Sequence, residues 1–143
     1  MDNTQVNEFE RIRRQITIFN EIGKTLTSSL TVNEVLEKIL YKVAELFSPE
    51  NWSLLLVDEE KGELSFEIVV GEFKHTQKLK DIRLKVGEGV AGWVAKTGRP
   101  LFVPSVDKEP RFTRKVDEAT AFSTESFVCL PLKIRDKVLG VIE

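Results

Sequence analysis

Apolar residues recur at helical spacing through the first thirty positions of the chain. Between about residues 4 and 30 they follow alternating steps of three and four, which is the heptad pattern of a coiled-coil seam. The seam consists of Phe9, Ile12, Ile16, Phe19, Leu26 and Leu30, with Gly23 at the remaining position. Glu8 and Arg13 lie where a parallel partner helix could pair with them. Two interpretations stay open: a coiled coil between two copies, or an amphipathic helix that packs on its own domain.

A second helix is predicted directly after the first. Thr31 and Glu34 have the spacing of a capping box, in which the hydroxyl accepts from a first-turn N–H and the carboxylate reaches back. One apolar face follows, formed by Val35, Leu36, Ile39, Val43, Leu46 and Phe47. Ser48-Pro49 ends the helix, because the residue before a proline disfavours the helical conformation. The pattern predicts a core helix without chemistry of its own.

The remainder of the chain is rich in short strands. Strands are predicted at residues 51–58, 63–70, 82–86, 101–103, 127–134 and 138–143. The short connections at 59–62 and 135–137 are typical of hairpins, so the sheet should be mainly antiparallel.

Two of these strands contain continuous apolar runs, Leu54–Val57 and Phe127–Leu130. A strand of this kind needs cover on both of its faces. We expect the two helices on one face of the sheet. The loop-rich segments 71–80 and 89–125 would cover the other face, where a ligand cavity can form.

The segment from Gly87 to Pro131 is long and irregular, and loops of this length in compact domains usually have a function. Its polar members are Ser105, Asp107, Arg111, Thr113, Thr120 and Thr124, and its apolar anchors are Val106, Phe112, Val116 and Phe122. This mixture predicts a lid over a small-molecule pocket. Gly87, Gly89 and Gly92 lack the spacing of a phosphate-binding loop, so we expect them to serve turns and close packing.

Composition indicates a single soluble globular domain without a nucleic-acid partner. The chain has 143 residues, 41% of them hydrophobic and 31% charged, and a formal net charge of −2. No apolar run approaches the ~20 residues of a membrane span. The polar, acidic N-terminus does not resemble a secretory signal, so we expect a cytoplasmic protein. One cysteine excludes a disulfide framework and a cysteine-rich metal site.

Several single residues suggest chemistry but have a simpler interpretation. Cys129 lies in an apolar strand, where a cysteine behaves as a small hydrophobe. His75 is expected to be a solvated loop residue, and Trp93 a packing residue. Asp117 and Glu118 are adjacent, so their side chains should diverge, and we expect surface charge or a helix cap rather than acid–base catalysis. No metal site is predicted.

The order and spacing of many residues between about 25 and 143 closely resemble a GAF domain. They are Gly89-Val90-Ala91-Gly92-Trp93-Val94-Ala95, Thr97-Gly98, Pro100, Val103-Pro104, Phe112, Cys129-Leu130-Pro131-Leu132 and Leu139-Gly140-Val141-Ile142-Glu143. The resemblance implies an α+β three-layer sandwich, with a central antiparallel sheet of about six strands, helices on one face and a loop-rich pocket on the other. It also implies a regulatory module rather than an enzyme.

Within this family the segment from Phe112 to Thr124 is most similar to the cyclic-nucleotide-binding GAF domains of phosphodiesterases and cyclases. That similarity implies ligand contacts at five positions, Ser53, Ala91, Thr120, Thr124 and Glu143. Val69 or Val70 lies where such domains use an acidic base contact, and Thr113 where an aromatic contact is common. No cofactor is implied with certainty, and cGMP or cAMP is the candidate ligand.

These inferences combine into one functional expectation. Residues 1–30 would be a signalling and dimerisation helix, and residues 31–143 a GAF domain cut off in its last strand. The domain would sense a small molecule, form a homodimer through its first helix, and act on a C-terminal kinase, cyclase or transcription activator of a longer protein. The alternative is a GAF-fold dimerisation module that binds no ligand.

Overall fold

The computed structural model describes residues 3–26, 31–47, 49–71 and 76–143. The chain forms two compact units, Met1–Pro49 and Glu50–Glu143. The boundary between the predicted segments 1–30 and 31–143 is a different division, and it stays a prediction.

The first unit contains two helices, α1 (Asn3–Leu26) and α2 (Val32–Phe47). The predicted capping box is present at the start of α2. The amide and the hydroxyl of Thr31 each donate to Oε2 of Glu34 at 2.8 Å, and the Glu34 amide donates to the Thr31 hydroxyl at 3.3 Å. These hydrogen bonds lower the pKa of Glu34 below its usual value. The seam predicted to continue to Leu30 passes beyond the described part of α1.

Helix α1 packs on α2 with a face other than the predicted seam. Ile18 is buried. The Arg14 guanidinium donates to the Glu45 carbonyl, and Lys42 pairs with Glu21 at 2.7 Å. The seam residues Phe9, Ile12, Ile16 and Phe19 have exposed fractions of 64%, 45%, 56% and 71%. At ~100° per residue this apolar stripe lies on nearly the opposite side of the helix from Ile18.

The second unit is built on six strands. They are β1 (Asn51–Asp58), β2 (Glu63–Gly71), β3 (Arg83–Lys85), β4 (Leu101–Val103), β5 (Phe127–Ile134) and β6 (Lys137–Ile142). The strand order is β3-β2-β1-β6-β5-β4, and every neighbouring pair is antiparallel. The predicted α+β class and antiparallel sheet are confirmed. β1, β4 and β5 have the predicted bounds, whereas β3 is shorter because the flanking residues enter turns.

Three helices connect these strands, α3 (Thr76–Leu79), α4 (Gly89–Thr97) and α5 (Lys115–Thr120), together with a 3-10 turn at Val106–Lys108. Helix α4 packs against β5 and β6. The buried cluster on this side of the sheet contains Leu55, Leu64, Phe66, Leu79, Val90, Ala91, Val94, Ala95, Cys129 and Val141.

Gly92 allows α4 to approach the end of β3 closely. A Cβ at this position would lie 2.2 Å from the carbonyl oxygen of Lys85, which is far inside van der Waals contact. The predicted close-packing role of Gly92 is therefore confirmed.

Candidate functional site

Four residues lie side by side across the sheet, on the face that packs against α4. The backbones of Ser53 and Glu143 exchange hydrogen bonds of 2.9 and 3.0 Å. Ser53 pairs on its other side with Val69 in β2. The pairing of β5 with β6 brings Cys129 beside Glu143, and their side chains hydrogen-bond. We call this set, Val69, Ser53, Glu143 and Cys129, the sheet row.

The sheet row carries a carboxyl group in an apolar environment. Burial raises the pKa of Glu143 to about 7, and the hydrogen bond from Cys129 opposes that shift. The residue as a whole is only half-buried, but its carboxyl group is desolvated. Burial, and secondly the charge of Glu143, raises the pKa of the Cys129 thiol. Cys129 is fully buried, which confirms its prediction as a small hydrophobe.

Ala91 lies in the first turn of α4, the helix that packs against β5 and β6. Its side chain is buried in the same apolar cluster as Cys129 and Leu55. Glu88 is the N-cap of this helix, and its side chain makes no capping hydrogen bond. The first-turn N–H groups therefore lack a side-chain acceptor from Glu88, and such groups are common partners of anions.

We call the long segment between β4 and β5, residues 104–126, the lid. It is organised by Asp117, a buried carboxylate in α5 with an exposed fraction of 6%. Its Oδ2 accepts from the Thr124 amide at 2.9 Å and from Arg114 at 3.0 Å. Its Oδ1 accepts from the Thr124 hydroxyl at 2.6 Å. We call Arg114, Asp117 and Thr124 the lid clamp.

The expectation that Asp117 is surface charge or a helix cap is therefore wrong, whereas Glu118 is exposed as expected. The two neighbours differ because Ala121 adopts a left-handed conformation with φ 51° at the end of α5. That turn reverses the chain and brings Thr124 back onto Asp117, which supplies the partners that a buried carboxylate requires.

Thr120, the other predicted lid contact, is fully buried. Its hydroxyl donates to the carbonyl of Val116, one turn earlier in α5, at 2.8 Å. The structure thus groups Thr120 with Thr124 on the lid, and Ser53 with Glu143 on the sheet.

Apolar anchors fasten the lid to the core, as the sequence predicts. Val106 is buried, and Phe112 and Val116 pack against the cluster beneath α4. The rings of Phe112 and Phe127 lie 5.7 Å apart, centroid to centroid. The Val106 amide also donates to the Glu125 carbonyl at 2.9 Å, which joins the two ends of the lid.

A second attachment of the lid could not be predicted from the sequence. The Arg111 guanidinium lies 4.4 Å from the centre of the Trp93 ring on α4. Glu109 orients it, accepting from Nε at 2.5 Å and from Nη2 at 3.0 Å. The hydrogen bond from Arg111 lowers the pKa of Glu109. The cation thus joins the lid to α4, and Trp93 has the packing role expected of it.

The remaining residues singled out in the sequence lie in different environments. Of the two valines, Val69 packs against the buried cluster, whereas Val70 pairs with Trp52 and alternates to the other face. Thr113 is exposed on the lid. The prediction for His75 lies outside the described residues.

Within residues 3–26, 31–47, 49–71 and 76–143, no helix is both long and apolar enough to cross a membrane. The same part of the chain contains no group of three or more His, Cys, Asp or Glu side chains placed to hold a metal ion.

Comparison with known proteins bears on the architecture that surrounds the sheet row and the lid. Residues 31–143 match the family model described as the GAF domain. The chain belongs to the GAF family. GAF domains are typically sensory or regulatory modules, and the resemblance inferred from the motifs around Gly92 and Cys129 is confirmed.

A curated relative agrees with this assignment, as a protein that the chain resembles. The chain is 29% identical, over 145 aligned residues, to the probable 3′,5′-cyclic phosphodiesterase pde-5 of Caenorhabditis elegans. The alignment covers 94% of the chain but only 20% of the length of that relative.

Two solved structures share the fold. The crystal structure of the A. aeolicus nlh2 GAF domain in an inactive state is 28% identical, with a TM-score of 0.73 over 92% of this chain and 78% of that chain. The GAF domain of a Coxiella burnetii phosphoenolpyruvate-protein phosphotransferase is 18% identical, with a TM-score of 0.76 over 91% and 76% of the two chains.

Proposed function

We propose that this GAF domain is a non-catalytic sensor in a cytoplasmic signalling protein, with a 3′,5′-cyclic nucleotide, cGMP or cAMP, as its ligand. The observation that carries the proposal is the sheet row, in which Ser53 is buried and the Glu143 carboxyl is desolvated beside the apolar cluster against which Phe112 and Val116 of the lid pack. The name of the C. elegans relative supports the choice of ligand class.

A polar group inside an apolar cluster lowers the free energy of unfolding, and the fold does not need such a group at that place. Burying a hydroxyl or a carboxyl without full hydrogen bonding costs on the order of 1–3 kcal/mol. At Glu143, burial disfavours the charged form of the carboxyl group and raises its pKa to about 7. Perturbed groups of this kind are concentrated at binding sites.

The five predicted contacts would bind different parts of such a ligand. Ser53 and Glu143 on the sheet would contact the base or the ribose. The first turn of α4 at Ala91 would face the phosphate, because helix N-termini favour anions. Thr120 and Thr124 would contact the ligand from the lid. Ligand binding then favours one arrangement of lid and flanking helices, and an output domain responds to that change in population.

The binding claim is tested by native mass spectrometry of the purified protein and by titration calorimetry with cGMP and cAMP. We expect one nucleotide to bind with a Kd in the micromolar range or below. Ser53→Ala should weaken that binding about fivefold to tenfold through a lost hydrogen bond. Ser123→Ala, at an exposed lid position, is the matched control. Absence of binding by either nucleotide would contradict the proposed ligand.

We propose further that the exposed seam of α1 joins two copies in parallel. Its apolar side chains Phe9, Ile12, Ile16 and Phe19 point away from α2, and Gly23 completes the heptad pattern without a side chain. Gly23→Leu should therefore strengthen the dimer, since no atom would obstruct a new Cβ. Ile16→Lys should weaken it, and Gln15→Lys is the control on the flank. Sedimentation measures both, and a monomer at high micromolar concentration would contradict the dimer.

The alternative function is a GAF-fold dimerisation module without a ligand. The hydroxyl hydrogen bonds of Thr120 and Thr124 within the lid favour it, because both groups are satisfied without a ligand. This alternative predicts a dimer that no nucleotide stabilises, and the calorimetric and sedimentation experiments together distinguish the two functions.

A further inference from the structure

The lid clamp fixes the direction of the hydrogen bond that Thr124 can make. A threonine hydroxyl has one proton and two acceptor lone pairs, and a carboxylate has no proton to give. The 2.6 Å contact between the Thr124 hydroxyl and Asp117 Oδ1 is therefore a bond that Thr124 donates. Its length is that of a charge-assisted O–H···O⁻ bond, about twice as strong as a neutral one.

The surroundings of Asp117 keep that proton in place. Among the described residues Thr124 is the donor to Oδ1, whereas Oδ2 has two donors, the Thr124 amide and Arg114. Turning the hydroxyl towards a ligand would leave Oδ1 unsatisfied in a carboxylate whose side chain is 6% exposed. A buried acceptor without its partner is costly, and more so when it is charged.

The same argument applies more weakly to Thr120. Its proton is donated at 2.8 Å to the Val116 carbonyl, which can only accept. That carbonyl belongs to a helix and does not depend on the hydroxyl, so Thr120 can turn at a lower cost than Thr124. Thr124 is thus the residue that constrains a ligand.

We infer that Thr124 receives a hydrogen bond from the ligand and that Asp117 is the positioning residue that imposes this direction. The inference rests on the proposed function and selects among ligand groups. The part of the ligand that contacts Thr124 carries a proton, as an amino group, a ring N–H or a hydroxyl does. A cyclic phosphate oxygen only accepts, so the phosphate lies elsewhere, and a base or ribose donor faces the lid.

Nucleotides that each lack one donor test this direction. Cyclic IMP lacks the 2-amino group of cGMP, and 1-methyl-cGMP lacks its ring N–H. The cyclic monophosphate of purine riboside lacks the 6-amino group of cAMP, and the 2′-deoxy compounds lack the ribose hydroxyl. Thr124→Val should weaken binding of the parent nucleotide about fivefold to tenfold. With wild-type protein, one of the donor-deficient compounds should bind more weakly than the parent nucleotide by the same factor. The Thr124→Val variant should bind that compound and the parent nucleotide with equal affinity, because the two partners of one bond are coupled.

Phosphorothioate forms of the same nucleotide test whether Thr124 contacts the phosphate instead. They alter the phosphate oxygens alone, so their effect should be independent of Thr124→Val. Coupling of the variant to a phosphorothioate, and to none of the donor-deficient compounds, would overturn the inference. Thr124→Ser keeps the hydroxyl and should retain the wild-type order of affinities.

Asp117→Asn tests the positioning role. The amide of asparagine can donate to the Thr124 oxygen and frees the hydroxyl proton for a ligand. We expect the wild-type discrimination between the parent nucleotide and the coupled donor-deficient compound to fall to about twofold or less. Glu118→Gln, one residue away and exposed, should leave it unchanged. Full discrimination retained in Asp117→Asn would contradict a role for Asp117.

A measurement on ligand-free protein separates this inference from the proposed function. The Thr124 hydroxyl proton should be visible by NMR with slow solvent exchange, and it should become fast in Asp117→Asn. Wild-type protein that binds none of the nucleotides contradicts the proposed function, while this proton still decides the direction of the bond. Exchange at the solvent rate in the wild type would overturn the inference by itself.

Discussion

The sheet row and the lid clamp present polar groups to the same core by different means. Ser53 and Glu143 are fixed by backbone hydrogen bonds between β1 and the end of β6, which any side chains would make. Thr124 is fixed by the side chain of one residue, Asp117. A sheet can therefore keep its geometry while its side chains vary, whereas the lid depends on a few specific contacts.

The largest expected effect on stability comes from a substitution in the sheet. Leu55 has no exposed surface and lies next to Ser53 along the same face of β1. Leu55→Ala should lower the free energy of unfolding by about 2–5 kcal/mol, from lost burial and the cavity that remains. Phe102→Ala, at a side chain that is 65% exposed, is the control and should cost about 0.5 kcal/mol or less. Urea unfolding measures both, and equal losses would contradict this assignment of the core.

A smaller and local effect is expected on the lid side. Asp117→Asn removes the charge that holds Arg114 and cannot accept every bond that the carboxylate accepts. We expect a loss of about 1–3 kcal/mol. Amide hydrogen exchange should accelerate within residues 115–126 and stay unchanged in β1 and β6, because the sheet does not use this side chain. Exchange that accelerates equally in the sheet would show that the two regions are one cooperative unit.

The sequence predicts the sheet side well for a physical reason. Strand positions follow from the alternation and continuity of apolar residues, and neighbouring strands joined by short turns pair without further information. The bounds of β1, β4 and β5 were predicted correctly on that basis. The Thr31 capping box was predicted for a similar reason, since its partners lie three residues apart.

The lid clamp could not be predicted in the same way. Asp117 and Glu118 are equivalent in the sequence, and only the left-handed residue Ala121 and the return of Thr124 bury one and expose the other. The contact of Arg111 with Trp93 likewise joins residues that are far apart in the sequence. On α1 the heptad pattern located an apolar stripe but not the face that meets α2, because Ile18 lies outside the seam.

The carboxyl group of Glu143, in the sheet row, should make the free energy of unfolding depend on pH. The pKa of Glu143 is raised from 4.5 to about 7 in the folded protein. A raised carboxyl pKa means that the stabilising state is the protonated one, so its contribution is complete below pH ~4.5 and is lost as the pH rises through about 7. The unfolding free energy should fall across that window by an amount on the order of 1–2 kcal/mol, given partial exposure.

Glu143→Gln should remove this part of the pH dependence, and the stability of the variant at pH 8 should exceed that of the wild type. Glu125→Gln, at an exposed position on the lid, should leave the slope unchanged. Unfolding in urea at several pH values between 4 and 8 measures the slope. An unchanged slope in Glu143→Gln would mean that the carboxyl is solvated in the folded state. Cys129 should not titrate in this range, because burial raises the pKa of its thiol.

The smallest expected effect concerns the second attachment of the lid, at the surface. Arg111 lies 4.4 Å from the Trp93 ring centre and is oriented by Glu109, whereas Arg99 lies 5.9 Å from the same ring. Arg111→Leu should lower the melting temperature by about 1–3 °C, since cation–π contacts and ion pairs that remain partly open to solvent contribute little. Part of that difference should disappear in 1 M salt, where the pair with Glu109 is screened. Arg99→Leu should have a smaller effect, because the Arg99 guanidinium lies near the ~6 Å limit of such contacts. Equal shifts for the two arginines would mean that Trp93 is held by its own helix, and that the lid is attached through Asp117 and its apolar anchors alone.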